Sequence, residues 1–267
     1  MKRTTIRALL ALAALGAAAG PAAALGPVDV TAAGDYVTRY IWRGYDLVPD
    51  NNPAFQPSGA VGYSPLKGLN VSGSVWGSYG MSDSEDKIPQ DENKWDEIDY
   101  TINVSYAVSD TVSVSVGHIY YFFPQVLDAD ADDTKEVYTG VSVGLPLNLS
   151  TGLKIYYDYD NGKGIYANWT IDYSRKLSDA VSVFSGFNVG YMSYTKDAAD
   201  GGFYVDSKGD ALRTFSDANL GLGLSVDLGH GLSLTNALYY TIPLGDVRDD
   251  VNDHNECWGK VSLATAF

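Results

Sequence analysis

A chain of 267 residues with a formal net charge of −15 offers no basic surface to nucleic acid or to anionic lipid head groups. Its single cysteine, Cys257, excludes an intramolecular disulfide and a cysteine-based zinc site. Twenty tyrosines and 28 glycines, with few leucine-rich helical stretches, favour an all-β chain, and past the N-terminus no run approaches the length of a membrane-crossing helix.

The N-terminus reads MKRTTIR, then ALLALAALGAAAG, then PAAA. A basic start, a short apolar stretch and a small-residue A-x-A site predict a secretory signal peptide over residues 1–24. Its removal takes away Lys2, Arg3 and Arg7 but no acid, so residues 25–267, expected to form one barrel domain, carry a formal −18.

From there the dominant signal is alternation at period two. Twelve segments carry it: 35–45, 54–63, 68–80, 96–108, 111–122, 135–145, 151–160, 164–174, 180–192, 217–227, 231–242 and 257–267. In the first, YVTRYIWRG, Arg39 and Arg43 share the polar parity. In the fourth, Ile98, Tyr100, Ile102, Val104 and Tyr106 alternate with Glu97, Asp99, Thr101, Asn103 and Ser105. In the sixth, Val137, Thr139, Val141, Val143 and Leu145 alternate with Glu136, Tyr138, Gly140, Ser142 and Gly144. The seventh carries Lys154 and Asp158 on its polar parity. The last, CWGKVSLATAF, sets Val261, Leu263 and Phe267 against Trp258, Lys260 and Ser262. A helix would need apolar residues at i, i+3, i+4 and i+7, which these segments lack.

Short connections follow the even-numbered segments, and longer ones (46–53, 81–95, 123–134, 193–216, 243–256) mostly follow the odd ones. DNGK is the exception, predicted as a tight Asn161-Gly162 hairpin. On the apolar parity, Trp42, Tyr79, Tyr120, Tyr157, Tyr159, Tyr191 and Tyr240 fall near the long loops, and Tyr63, Tyr106, Tyr173 and Phe267 near the short turns. Two such aromatic bands mark the two water–lipid boundaries. Together these features predict an all-β, transmembrane, antiparallel up-and-down barrel of twelve strands in a bacterial outer membrane.

Polar parity must then point into the lumen. The expected pore-lining charges are Arg39, Arg43 and Lys260 on one side and Glu97, Asp99, Glu136 and Asp158 on the other, with Lys154 a lone cation among the acids. Ser113, Ser115, Gly117, Gly140, Ser142, Gly144, Gly221, Gly223 and Ser225 are small inward residues expected to leave space.

The segment YVTRYIWRGYDLVPDNNPAFQ resembles the opening of the TorF-like porins, a proteobacterial outer-membrane family in which an R-G pair follows an aromatic first strand. GSVWGS, DEIDYTINVSYAV, IYYFFP and KEVYTGVS extend the resemblance along most of the chain. It implies an outer-membrane barrel with a pore function and supplies no substrate and no catalytic residues. The final strand also resembles the C-terminal aromatic signal read by barrel-assembly machinery, which would be a partner alongside membrane lipid.

Other chemistry is thinly represented. GVSVG (140–144) fits the spacing of a hydrolase nucleophile elbow, but it falls in the middle of the sixth segment, where no sharp turn can present Ser142. His118, His230 and His254 lie in separate segments. DADADD (128–133) lacks the Gly and Glu that an EF-hand loop needs, since Asp133 and Thr139 stand in their places, so no metal or cofactor site is expected. The expected function is a narrow, non-enzymatic passive pore for small hydrophilic solutes or ions with a mild cation preference. A lipid-acting barrel enzyme, or a non-conducting surface barrel whose acidic loops bind divalent ions or partners, are the alternatives.

Overall fold

A computed structural model describes residues 28–47, 52–81, 95–124, 133–195, 205–206, 208–250 and 254–267. The predicted signal peptide and most of the acidic runs at 82–94 and 125–132 lie outside these residues.

Twelve strands close one antiparallel barrel: β1 (Val28–Val37), β4 (Ala54–Leu66), β5 (Leu69–Gly80), β6 (Trp95–Ala107), β7 (Val112–Phe122), β8 (Thr134–Leu145), β9 (Leu149–Asp158), β10 (Gly164–Lys176), β11 (Val181–Ser193), β12 (Arg213–Gly229), β13 (Leu232–Pro243) and β14 (Glu256–Ala266). Each pairs with its neighbours in sequence, and β1 closes the ring against β14, with Tyr36 opposite Val261 and Asp35 opposite Ser262. Closure leaves no unpaired sheet edge, which lipid could not hydrogen-bond. The strands are about as long as a tilted bilayer crossing requires.

The hydrophobic effect is arranged inside out. Ile102 is 63% exposed and Leu238 66%, and Val116, Leu220, Leu222, Val261 and Leu263 are exposed on the same outer parity. A continuous apolar exterior of this kind suits a hydrocarbon solvent rather than water. The expected tyrosines and Phe267 sit on this outer face in two bands, with one exception, Trp42.

Trp42 lies inside the barrel because the chain leaves the wall before it. The first strand is Val28–Val37, not 35–45. The chain then leaves the wall and turns into the lumen as a two-strand hairpin, β2 (Ile41–Trp42) and β3 (Tyr45–Asp46), paired Trp42 to Tyr45 and Ile41 to Asp46. Arg43 and Gly44 both carry positive φ, 50° and 92°, the requirement of a two-residue turn with primed geometry. Aromatic alternation runs through YIWRGYD as strongly as through a wall strand, so periodicity concealed the reversal. Only the R-G pair marked it.

The predicted Asn161-Gly162 turn also differs. β9 and β10 are joined by residues 159–163, and the positive φ there belongs to Lys163, at 44°. Asn161 is drawn towards the start of β8 instead: its Nδ2 donates to the Asp133 carbonyl at 2.9 Å and its backbone N–H to Thr134 Oγ1 at 3.3 Å. These bonds to β8 override the local turn preference. Between β13 and β14, a single short helix, α1 (Gly245–Asp250), packs against β12. GVSVG lies within β8, as expected.

Candidate functional site

The lumen divides into two halves. On the side of the short turns the wall carries small inward side chains. On the side of the long loops the β2–β3 hairpin fills the interior.

Thr38 anchors the approach to the hairpin on β14, its N–H donating to the Gly259 carbonyl at 2.9 Å and its hydroxyl accepting from Gly259 N–H at 2.9 Å. Beyond it, Arg39 ion-pairs with Glu256 of β14 and with Asp46 of its own hairpin, the latter at 3.5 Å. The Tyr40 hydroxyl donates to Glu97 Oε2 at 2.7 Å, and its ring lies 5.4 Å from that of Trp76. Enclosure raises the Tyr40 phenol well above its ordinary value, and the Glu97 carboxylate adds to this, so the tyrosine stays a donor. The Leu47 N–H donates to the Tyr40 carbonyl at 2.9 Å and closes the hairpin.

At the tip, Arg43 reaches across the barrel. Its Nη2 lies 2.7 Å from Glu136 Oε2 on β8, and its Nη1 donates to the Tyr194 hydroxyl at 3.2 Å. The guanidinium carbon sits 4.2 Å from the Tyr166 ring centroid, 4.4 Å from Trp42 and 5.3 Å from Tyr156. Burial opposes the charge, but Glu136 and Tyr194 outweigh it and hold Arg43 protonated. Tyr45, Tyr166, Met192, Tyr194, Leu212 and Val247 pack around the hairpin as a buried apolar cluster, so this barrel has a core within its lumen. Gly44 is required by more than its φ, because a Cβ there would lie 2.8 Å from the Ser216 carbonyl oxygen.

Each predicted pore-lining residue can now be placed. Glu97 and Asp99 (β6), Glu136 (β8), Lys154 and Asp158 (β9) and Lys260 (β14) share the inward parity. Arg39 and Arg43 face the interior from the hairpin approach and tip rather than from a wall strand. Opposite charges meet in local pairs: Lys260 with Asp35 at 3.3 Å, Arg39 with Glu256, Arg43 with Glu136. Only the last pair spans the lumen. Asp158 accepts from the Thr134 hydroxyl at 2.8 Å and from the Asp160 N–H at 3.0 Å.

Several residues of the site were not singled out from sequence, namely Asp35, Tyr40, Tyr156, Tyr166, Tyr194, Asp217 and Glu256. For Tyr156 a signal existed, since it shares the parity of Lys154 and Asp158. Tyr194 lies just past β11, where alternation carries no information.

The small inward residues do not all leave space. A Cβ on Gly117 would lie 2.4 Å from the Tyr138 ring, on Gly221 2.9 Å from Tyr239, and on Gly223 2.3 Å from Phe184. These glycines seat aromatic rings flat against the wall, and the Tyr138 hydroxyl then reaches Asn103 Oδ1 at 2.8 Å. Open volume remains elsewhere. A cavity of about 360 Å³ lies beneath the hairpin against β7–β10, and one of about 280 Å³ lies near the turns between β1, β4, β13 and β14.

No protein-family model matches the chain, and no curated protein sequence does. Solved structures do match in shape. An outer membrane channel from Pseudomonas putida F1 aligns over 93% of this chain and 100% of its own, with a TM-score of 0.56 at 9% identity. The KdgM porin aligns over 90% of this chain and 99% of its own, with a TM-score of 0.50 at 10% identity. The NanC porin aligns over the same shares, with a TM-score of 0.50 at 12% identity. At these identities the likeness establishes the fold, a closed barrel of the outer-membrane porin type.

Proposed function

We propose that the chain is an outer-membrane barrel acting as a narrow passive pore for small hydrophilic solutes or ions, with a mild cation preference. The observation that carries the proposal is the two-part lumen, in which open, hydroxyl-rich volume on the turn side leads to a constriction built around Arg43. A wall made only to scaffold loops would have no reason to keep interior volume lined by serine, threonine and lysine. The porin names of KdgM and NanC support passage of small solutes, and the YVTRYIWRGYDLV motif supports a kinship with TorF-like porins. The cation preference rests on charge count. Lumen-facing Asp35, Glu97, Asp99, Glu136, Asp158, Asp217 and Glu256 outnumber Arg39, Arg43, Lys154 and Lys260. The outward apolar face of β14 suits both lipid and recognition by barrel-assembly machinery.

Planar-bilayer recording on purified, folded protein tests this reading. Discrete channels with a reversal potential favouring potassium over chloride are expected, and complete absence of channels would sink it.

A further inference from the structure

Lys154 differs from the other three predicted pore-lining cations. Arg39, Arg43 and Lys260 each have a carboxylate partner, whereas Lys154 has none within ion-pair distance among the described residues. Its ammonium stands 5.1 Å from the Tyr138 ring centroid, and its stem crosses Gly140, where a Cβ would come 2.8 Å from Lys154 Cγ. The wall is cut away to let this side chain lie across it. The acids on either side are otherwise placed: Glu136 is held by Arg43, Asp158 by Thr134, and Asp172 pairs across from Ser150, outside the cavity lining.

Lys154 projects into the cavity of about 360 Å³, a size within the range of small-molecule sites, which run from about 300 to 1,000 Å³. Ser115, Ser142, Asn168 and Thr170 line it with hydroxyl and amide groups, and Tyr156 adds an aromatic ring. Tyr156 also lies under Arg43, so the cavity abuts the constriction directly. A neutral sugar would engage the hydroxyls and the ring and leave the ammonium unused. A simple carboxylate or inorganic anion would use the ammonium alone. A small polyhydroxylated carboxylate uses all three.

We propose that this cavity is a binding subsite for a monomeric sugar acid, its carboxylate on Lys154 Nζ, its hydroxyls on Ser115, Ser142, Asn168 and Thr170, and its ring against Tyr156. The proposal deepens the pore reading, because the ligand reaches the cavity along the lumen. A local anion subsite is compatible with a cation-preferring pore, because bulk selectivity reports the summed lumen charge and the subsite reports the Lys154 ammonium alone.

Calorimetric titration of the folded full-length barrel in detergent, alongside bilayer recording, tests it with D-glucuronate, D-glucose and acetate as probes. D-glucuronate should bind saturably and block current, with D-glucose and acetate each weaker by roughly tenfold or more. Lys154→Gln should weaken D-glucuronate by roughly tenfold, the scale of one charge-assisted hydrogen bond, and Lys154→Arg should retain most of it. Thr170→Val should weaken it less, and Lys67→Gln, in the β4–β5 turn, should leave it unchanged. Equal binding of D-glucuronate and D-glucose, equal binding of acetate, or an unchanged Lys154→Gln variant would overturn the subsite. Loss of channels with intact, Lys154-dependent binding would overturn the pore reading alone.

Discussion

Arg43 concentrates the energetics of the lumen. It is buried, it carries the only ion pair that spans the lumen among the described residues, and it is sandwiched between rings. Removing one partner of a buried pair strands the other charge, which costs about 3–5 kcal/mol. Arg43→Ala should therefore lower unfolding stability in detergent by about that amount, and adding Glu136→Gln should recover part of it, as a double-mutant cycle would show. Fully additive losses would mean that the two side chains do not act as a pair. Gly44→Ala places a Cβ against the Ser216 carbonyl at φ 92°, where a non-glycine residue costs about 1–2 kcal/mol. The hairpin should shift and the single-channel conductance rise, with the barrel still folded.

The hairpin is an element that the wall does not need. Its hydrogen-bond ladder is its own, and the twelve-strand ring closes through β1 and β14 without it. Replacing residues 41–46 by a flexible glycine–serine stretch should leave a folded, heat-modifiable barrel and give a larger conductance. Unchanged conductance would show that the constriction lies elsewhere. The hairpin also shows where periodicity misleads. YIWRGYD alternates because its rings pack on two sides inside the lumen, and a wall strand alternates because it separates lumen from lipid. The pattern is the same and the partners differ. At residues 159–163 a strong local turn signal gave way to hydrogen bonds from Asn161 to Asp133 and Thr134.

For the whole molecule, the proposed cation preference follows from the excess of inward acids. Neutralising Arg39 and Arg43 together should raise cation preference, read from the reversal potential in a potassium chloride gradient. High salt should weaken the preference in the wild-type protein by screening.

Alternation was enough to assign the class, the count of twelve and the inward parity of Glu97, Asp99, Glu136, Lys154, Asp158 and Lys260, because a period-two chain in lipid has only one way to hide its polar groups; it misplaced only the first strand, which is Val28–Val37. The outward tyrosine bands followed from the same rule. Sequence could not show which charges meet, because Arg43 and Glu136 are 93 positions apart and joined only by the curvature of the closed barrel. Nor could it show that a glycine such as Gly117 would be occupied by a ring from the next strand. Parity is a local property of the backbone and was readable from the chain; the Arg43–Glu136 pair, the absence of a carboxylate beside Lys154 among the described residues and the cavity next to it depend on what lies across the lumen, and only the tertiary structure decides that.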